Sequence, residues 1–363
     1  MERDVGMEET AVKQEAYEES VLAHPWIRYF ARVLDLSLYS MLWTFVQRIL
    51  LRWHIGGGLG QNLVDIIAAL ALMLLFEPLF LHFFGTTPGK WVFGLTIRME
   101  DGEKLEYRIA FLRTLEVWQS GMGFSIPIYN LVRFYRSYSQ CKRGEPLLWD
   151  EGLQYRIRDT KGWSIALCIG ANVLLIALGV LILLEAQLPP HRGNLTPSQY
   201  AQNVNDTKMR IGYRDGRYLK ETGEWAEKES DGTTVYFQIS EPLKHELILE
   251  NGAVVGVRLH AASNEEWLEA YSDDKMLAVI SFLAAQPGMS GVRLSTDPVF
   301  RKLDDELNSY SFEVANVRVT NTVEQNGYAQ IGSGYLLADE LQEGERFYNM
   351  SFEMIRLDAK AAQ

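Results

Sequence analysis

The chain has 363 residues, a net charge of -12 and a hydrophobic content of 47%. The acidic balance argues against nucleic acid as a partner, because phosphate binding needs clustered Lys and Arg. Apolar residues concentrate before about Leu188 and much of the acidic excess follows it, so two regions in different solvents are expected rather than one soluble globule.

Residues 1–24 read as a polar, acidic tail without the basic-then-apolar order of a secretory signal. From Trp26 to Leu51 the chain is apolar yet keeps Arg28, Arg32 and Asp35. On a helix these three fall within about 60° of one another, with Ala31 on the same side. A carboxylate at the depth of Asp35 costs roughly 2.5–3.5 kcal/mol in a bilayer unless it is paired or faces water. Arg32, three residues earlier, is its nearest expected partner, and Arg28 can reach toward headgroups. The cluster is either a clamp that fixes helix packing or an ion or proton site. Leu63 to Phe84 is a second apolar helix, with Asp65 near one end and Glu77 inside, beside Pro78. Proline removes a backbone donor and frees a carbonyl four residues earlier. Glu77 is therefore either a cation ligand or the counter-charge to Arg32.

The GTTPGKW stretch that follows does not fit a phosphate-binding loop. Gly85 and Gly89 are too close, and Trp91 stands where a magnesium-holding hydroxyl belongs. It is expected to be a tight turn with Lys90 among headgroups and Trp91 anchored at the interface. VFGLTIRM and KLEYRI flank Asp101-Gly102 as a small hairpin. The Ile109–Val117 run leads into FLRTLEVWQSGMGFSIPIYNLVRFY, which is broken between Ser120 and Pro127. That segment is either a kinked span or a re-entrant pair of helices. The loop before it carries Lys90, Arg98, Lys104 and Arg108. The loop after it carries Arg136, Lys142, Arg143, Arg156, Arg158 and Lys161. Positive loops stay in the cytoplasm, so the segment is expected to enter and leave on one face. Trp163 to Leu184 has no charged residue and is long enough for a hydrocarbon core about 30 Å thick. With the N-terminus cytoplasmic, this helix carries the chain outward.

Arg28-x2-Ala31-x3-Asp35 opens the first membrane helix, and the second is followed by Thr87, Pro88, Gly89, Lys90, Gly94 and Leu95, then by Leu112-Arg113-Thr114-Leu115. In these features the region of about residues 20–160 resembles the RDD membrane-protein family, named for one arginine and two aspartates. Arg28 and Asp35 match the first two positions. Asp150, in KRGEPLLWDEGLQYRIR, matches the third, although Trp149 stands where the family usually has histidine and no Ala-Gly-Thr follows. The resemblance implies a membrane protein for which transport is suggested, with sodium/proton exchange reported for some relatives. It implies no enzymatic activity.

Leu188-Pro189-Pro190 begins a linker, residues 189–195. Thr196-Pro197 then places a capping hydroxyl before a proline at the first helical position, so SQYAQNVNDTKMR is expected to be helical. TTVYFQIS reads as a strand. HELILE and VVGVRLH form a hairpin around Asn251-Gly252. NEEWLEAYSDDKMLAVISFLAAQ has helical spacing, and YSFEVANVRVT, YAQIGSGYLL and RFYNMSFEMIRL read as strands. His245 and His260 lie on neighbouring strands without a Cys or carboxylate cluster, so no metal site is expected. Asp273-Asp274 and Asp304-Asp305 read as solvated helix faces. Cys141 and Cys168, the only cysteines, lie in the apolar half, and no nucleophilic constellation is apparent.

The expected architecture is a membrane α-helical bundle of three spanning helices plus one kinked or re-entrant segment, followed by a soluble α+β domain. Its expected divisions are the tail (1–24), the RDD-like membrane domain (25–160), the final transmembrane helix (161–188), the linker (189–195) and an extracytoplasmic domain (196–363). The expected function is transport of an ion or small ligand in a cell membrane, by a multi-pass protein that acts as a homo-oligomer. Arg28, Arg32, Asp35 and Glu77 form the candidate charge site. No catalytic residue, cofactor or metal is expected. The alternative is a non-transporting assembly or sensing protein whose C-terminal domain binds a protein or ligand partner.

Overall fold

Helix α1 (Pro25–Phe45) begins on a proline, where the missing N–H is one the first turn could not have used. It ends in a π-type turn, Val46–Leu50. The computed structural model describes residues 17–20, 24–53, 59–158, 162–213, 215–227, 241–269, 271–331, 335–339 and 344–359. Two compact units, residues 1–182 and 183–363, divide the chain. TTVYFQIS and most of the N-terminal tail lie outside the described residues.

In the first unit, α2 (Leu59–Phe84) runs through Pro78 without ending. Trp43 at the far end of α1 donates its indole N–H to Asp65 of α2 at 2.8 Å, which gives that carboxylate its partner. A short helix, α3 (Pro88–Val92), follows. A three-stranded antiparallel sheet has the order β1 (Tyr17–Ser20), β3 (Leu153–Arg158), β2 (Leu95–Met99). The expected hairpin at Asp101-Gly102 does not form: Gly102 closes a tight turn, and Tyr107 already starts α4 (Tyr107–Glu116). Strand β2 pairs instead with distant β3, Ile97 opposite Tyr155, because this buries Leu95, Ile97 and Tyr155 together with Leu34 and Leu81. Helix α4 runs into a π-type turn, Val117–Gly121. Phe124 and Ser125, both at positive φ, then reverse the chain into α5 (Pro127–Lys142). The expected break between Ser120 and Pro127 is therefore real. At 16 residues α5 is about 24 Å long, and it exposes Ile128, Leu131, Val132 and Tyr135 along one stripe.

Gly60–Phe84 and α6 (Trp163–Glu185) are both long and apolar enough to cross a bilayer. A core helix of a soluble protein would be largely covered, yet only 22% and 6% of their apolar windows are buried. Uncovered apolar surface of this extent marks a membrane or protein interface. Ser37 of α1 donates to Asn172 of α6 at 3.1 Å, a polar contact of the kind that joins helices in lipid.

The second unit is β-rich. Helix α7 (Pro197–Ile211) carries the expected cap as a full capping box between Thr196 and Gln199. Strands β4 (Arg217–Leu219) and β5 (Trp225–Glu227) pair as a small ribbon. β6 (Glu246–Glu250) and β7 (Ala253–Ser263) form the expected hairpin, with Asn251 and Gly252 both at positive φ. The long run from Asn264 is not one helix. It starts with β8 (Trp267–Glu269) before α8 (Ser272–Ala278) and a π-type turn to Leu283, because Leu336 and Leu337 of a later strand pair with Leu268 and Trp267. Two short helices follow, α9 (Gly291–Thr296) and α10 (Val299–Leu303). YSFEVANVRVT likewise splits into β9 (Tyr310–Val314) and β10 (Val317–Asn326). Ala315 and Asn316 make the turn at positive φ. β11 (Tyr328–Ile331), β12 (Tyr335–Ala338) and β13 (Phe347–Arg356) complete the unit. The main sheet is antiparallel in the order β6-β7-β13-β10-β9, and Tyr200, Phe282 and Phe352 are among the side chains sealed in the core beside it.

Candidate functional site

The TPGK stretch meets α1 at Asp35. Thr87 caps α3, accepting from the Lys90 N–H, and donates its hydroxyl proton to Asp35 Oδ2 at 2.6 Å. The Gly89 N–H donates to Asp35 Oδ1 at 2.7 Å. Glycine is required there by close approach, since a Cβ would lie 2.1 Å from the Ala31 carbonyl oxygen. Ala31 itself is fully buried, so α1 presents its narrowest face where the turn crosses it. The motif thus docks a turn onto a helix and satisfies a buried carboxylate with a hydroxyl and an amide.

The remaining charges pair across longer separations. Arg32 donates both terminal nitrogens to Glu77, one at 2.9 Å, a bidentate geometry that only a guanidinium supplies. Lys90 Nζ donates to the same Glu77 Oε1 at 3.0 Å and lies 3.9 Å from Asp35. Arg28 donates to Asp150 Oδ2 and stacks 4.9 Å above the Tyr155 ring. Arg113 reaches Asp150 Oδ1 at 3.1 Å and the Tyr155 hydroxyl at 2.8 Å, and that hydroxyl donates to Asp150.

Three expectations are corrected. Arg32 is the counter-charge to Glu77, one of the two readings given for that carboxylate, and is not the partner expected for Asp35. Arg28 turns inward to Asp150 instead of reaching headgroups. Lys90 is buried against Glu77, because a fully buried carboxylate bonded to arginine still has an acceptor to fill; Trp91, by contrast, is exposed. Of the family-motif positions, Arg28, Ala31, Asp35, Thr87, Gly89, Lys90 and Asp150 meet in this cluster. Pro88 starts α3, and Gly94, at positive φ, turns the chain into β2. Sequence reasoning missed Arg113 and Tyr155 as members. The available signal was an arginine set in the apolar run FLRTLEV, which needs a buried partner.

The cluster holds four cations and three carboxylates, and the two signs are arranged unequally. An adjoining cavity of about 600 Å³ is lined by Arg28, Arg32, Lys90 and Arg113, and by none of the three carboxylates. Its other walls include Trp26, Tyr29, Phe134, Tyr138 and Trp149. Arg113 is almost wholly buried, yet its Nε and Nη1 have no hydrogen-bond partner. Each carboxylate already faces two or more donors inside the protein, so none is turned toward the cavity as a cation ligand. Among the described residues no group of three or more His, Cys, Asp or Glu is placed to hold a metal ion.

In the second unit the charges sit singly or in separate pairs. His245 is sealed in the core, with the Tyr200 hydroxyl 2.6 Å from Nδ1, and burial pushes its pKa down to about 3. His260 is exposed on β7, 3.8 Å from Glu246. Asp274 is not on a solvated face. It accepts from the Leu243 N–H at 3.3 Å, and burial pushes it up to about 7. Asp273 and Asp304 are exposed, and Asp305 caps the turn through Leu307 and Asn308. Lys275 and Glu306 form a fully buried pair at 3.0 Å.

Residues 22–187 match the model of the RDD family, and no family model matches the rest of the chain. The matched region therefore forms an RDD-family domain, which together with its uncovered apolar helices marks a membrane protein. No curated protein and no solved structure matches the chain.

Proposed function

We propose that the RDD-family domain of this chain binds and moves an ion or small ligand across a cell membrane, with the buried charge cluster as its site. The observation that supports this is the cavity walled by the cluster's four cations. A purely mechanical clamp would be expected to close over its charges, whereas this one keeps its surplus cation beside open volume. In this reading α1, α2 and α6 span the bilayer, and the segment from Tyr107 to Lys142 enters and leaves on the cytoplasmic face. Residues after Leu188 then work outside. The basic loops on either side of that segment support this orientation. So few spans make a short pathway, so a homo-oligomer is the working unit.

The test is charge movement in proteoliposomes holding the full chain, probed in turn with sodium, potassium, chloride, phosphate, an alkyl phosphate and a proton gradient. The expected result is a saturable signal with at least one probe that Arg113→Gln reduces while the protein is still inserted. No signal with any probe would overturn transport. Cysteine labelling near Gly102 and Asn194 checks the orientation: access from opposite sides is expected, and access from one side would refute it.

A further inference from the structure

We infer that the cavity takes an amphiphilic anion, a phosphate or carboxylate headgroup on an apolar tail supplied by the bilayer. This deepens the proposed function and rests on it only for the idea that the cavity is the ligand site. Three observations carry it.

The first is sign. Arg28, Arg32, Lys90 and Arg113 all line the cavity, while Asp35, Glu77 and Asp150 stand behind them, already bonded. A cation entering here would meet like charge and no carboxylate on the cavity wall. The second is the pair of unused donors on Arg113. Nε and Nη1 belong to a side chain only 3% exposed; neither makes a hydrogen bond, and Nη1 lies 3.9 Å from Glu77 Oε1. Arg113 nevertheless lines the cavity beside Arg28 and Arg32, and guanidinium groups there can hold a headgroup oxygen through charge-assisted bonds. The third is size and lining. A water molecule's share of volume is about 30 Å³, so 600 Å³ far exceeds a bare inorganic anion. The remainder is walled by Trp26, Tyr29, Phe134, Tyr138 and Trp149, surfaces suited to a hydrocarbon chain. Helix α5 connects this wall to lipid. Phe134, Tyr135 and Tyr138 line the cavity, Tyr135 is exposed as well, and Ile128 and Leu131 are further exposed apolar positions of the same helix.

The experiment is binding of radiolabelled dodecyl phosphate to the full-length protein in phosphatidylcholine nanodiscs, with unlabelled competitors. The expected result is saturable binding, competed by dodecyl phosphate and at least about ten-fold less well by inorganic phosphate, dodecanol or dodecyltrimethylammonium. Ser137 lines the cavity but makes no ion pair in the cluster, so Ser137→Trp fills the space and should weaken binding by about ten-fold or more. Arg113→Gln should do the same. Absence of saturable binding by the unmodified protein would overturn the inference. So would equal competition by dodecyltrimethylammonium or dodecanol. Equal competition by inorganic phosphate would make the ligand a free anion and overturn the bilayer source, and unchanged binding by inserted Ser137→Trp would move the site elsewhere. Flux without dodecyl phosphate binding would sink this ligand class and leave transport standing. Binding without flux would do the reverse.

Discussion

Both units bury ions, and they do so in opposite ways. In the second unit Lys275 and Glu306 are matched one to one, sealed at 0% exposure, with the Tyr348 hydroxyl beside the carboxylate. Burial lowers the Lys275 pKa and raises that of Glu306, so both are pushed toward neutrality. In the RDD domain four cations share three carboxylates, and every cation borders a cavity. A closed, balanced pair only has to survive its own desolvation. A cluster left with one positive charge in excess has a charge to offer a ligand. The contrast separates burial as architecture from burial as a site.

The harshest way to break the first region is Gly89→Ala. Its new Cβ would sit 2.1 Å from the Ala31 carbonyl, so the turn cannot dock and Asp35 loses two donors. We expect little or no folded protein, read as monodisperse yield in detergent; near-normal yield would refute the close approach. Glu77→Gln comes next. It leaves Arg32 without its counter-charge and Lys90 with only Asp35 at 3.9 Å, a loss of about 3–5 kcal/mol when one partner of a buried pair is removed. A large fall in thermal midpoint should report it.

The second region should behave differently when both partners go. Replacing Lys275 by Met and Glu306 by Leu together is expected to change stability by no more than about 1–4 kcal/mol, in the stabilising direction. Glu306→Leu alone should be strongly destabilising. If the double variant is as damaged as the single one, the pair is not merely architectural.

The effect smallest at any one pH is a slope. His245 is neutral in the fold down to about pH 3 but protonates near 6.5 when unfolded. The unfolded chain therefore binds more protons between those values, and stability falls as pH falls through that window. Asp274 acts oppositely: protonated in the fold up to about 7 but ionised above 3.8 when unfolded, it costs stability as pH rises. Asp274→Asn removes that opposing slope. Its stability should therefore drop more steeply on acidification from pH 6.5 to 4, by up to about 1.4 kcal/mol per pH unit relative to the unmodified protein. Denaturant unfolding across that range measures it, and parallel curves would disprove it.

The sequence by itself determined where lipid is needed, because an uncharged helix such as Trp163–Leu184 and the apolar run to Phe84 carry their solvent preference residue by residue. It also determined the local stops and turns: the Thr196-Pro197 cap, the Asn251-Gly252 hairpin and the break before Pro127 each rest on a few adjacent side chains. Four costly charges, Arg28, Arg32, Asp35 and Glu77, were legible for the same reason, since each is expensive wherever it lies in an apolar segment. Only the tertiary structure decided who pairs with whom. Arg32 passes over Asp35, three residues away, to reach Glu77; Arg28 finds Asp150 across 122 positions; and β2 leaves its neighbouring segment for β3. Pairing depends on distance in space and on competition among donors, and neither is written in local order. The surplus of cations at the cavity wall belongs to that second class, because which side of an ion pair faces open volume is fixed only when the helices close around it.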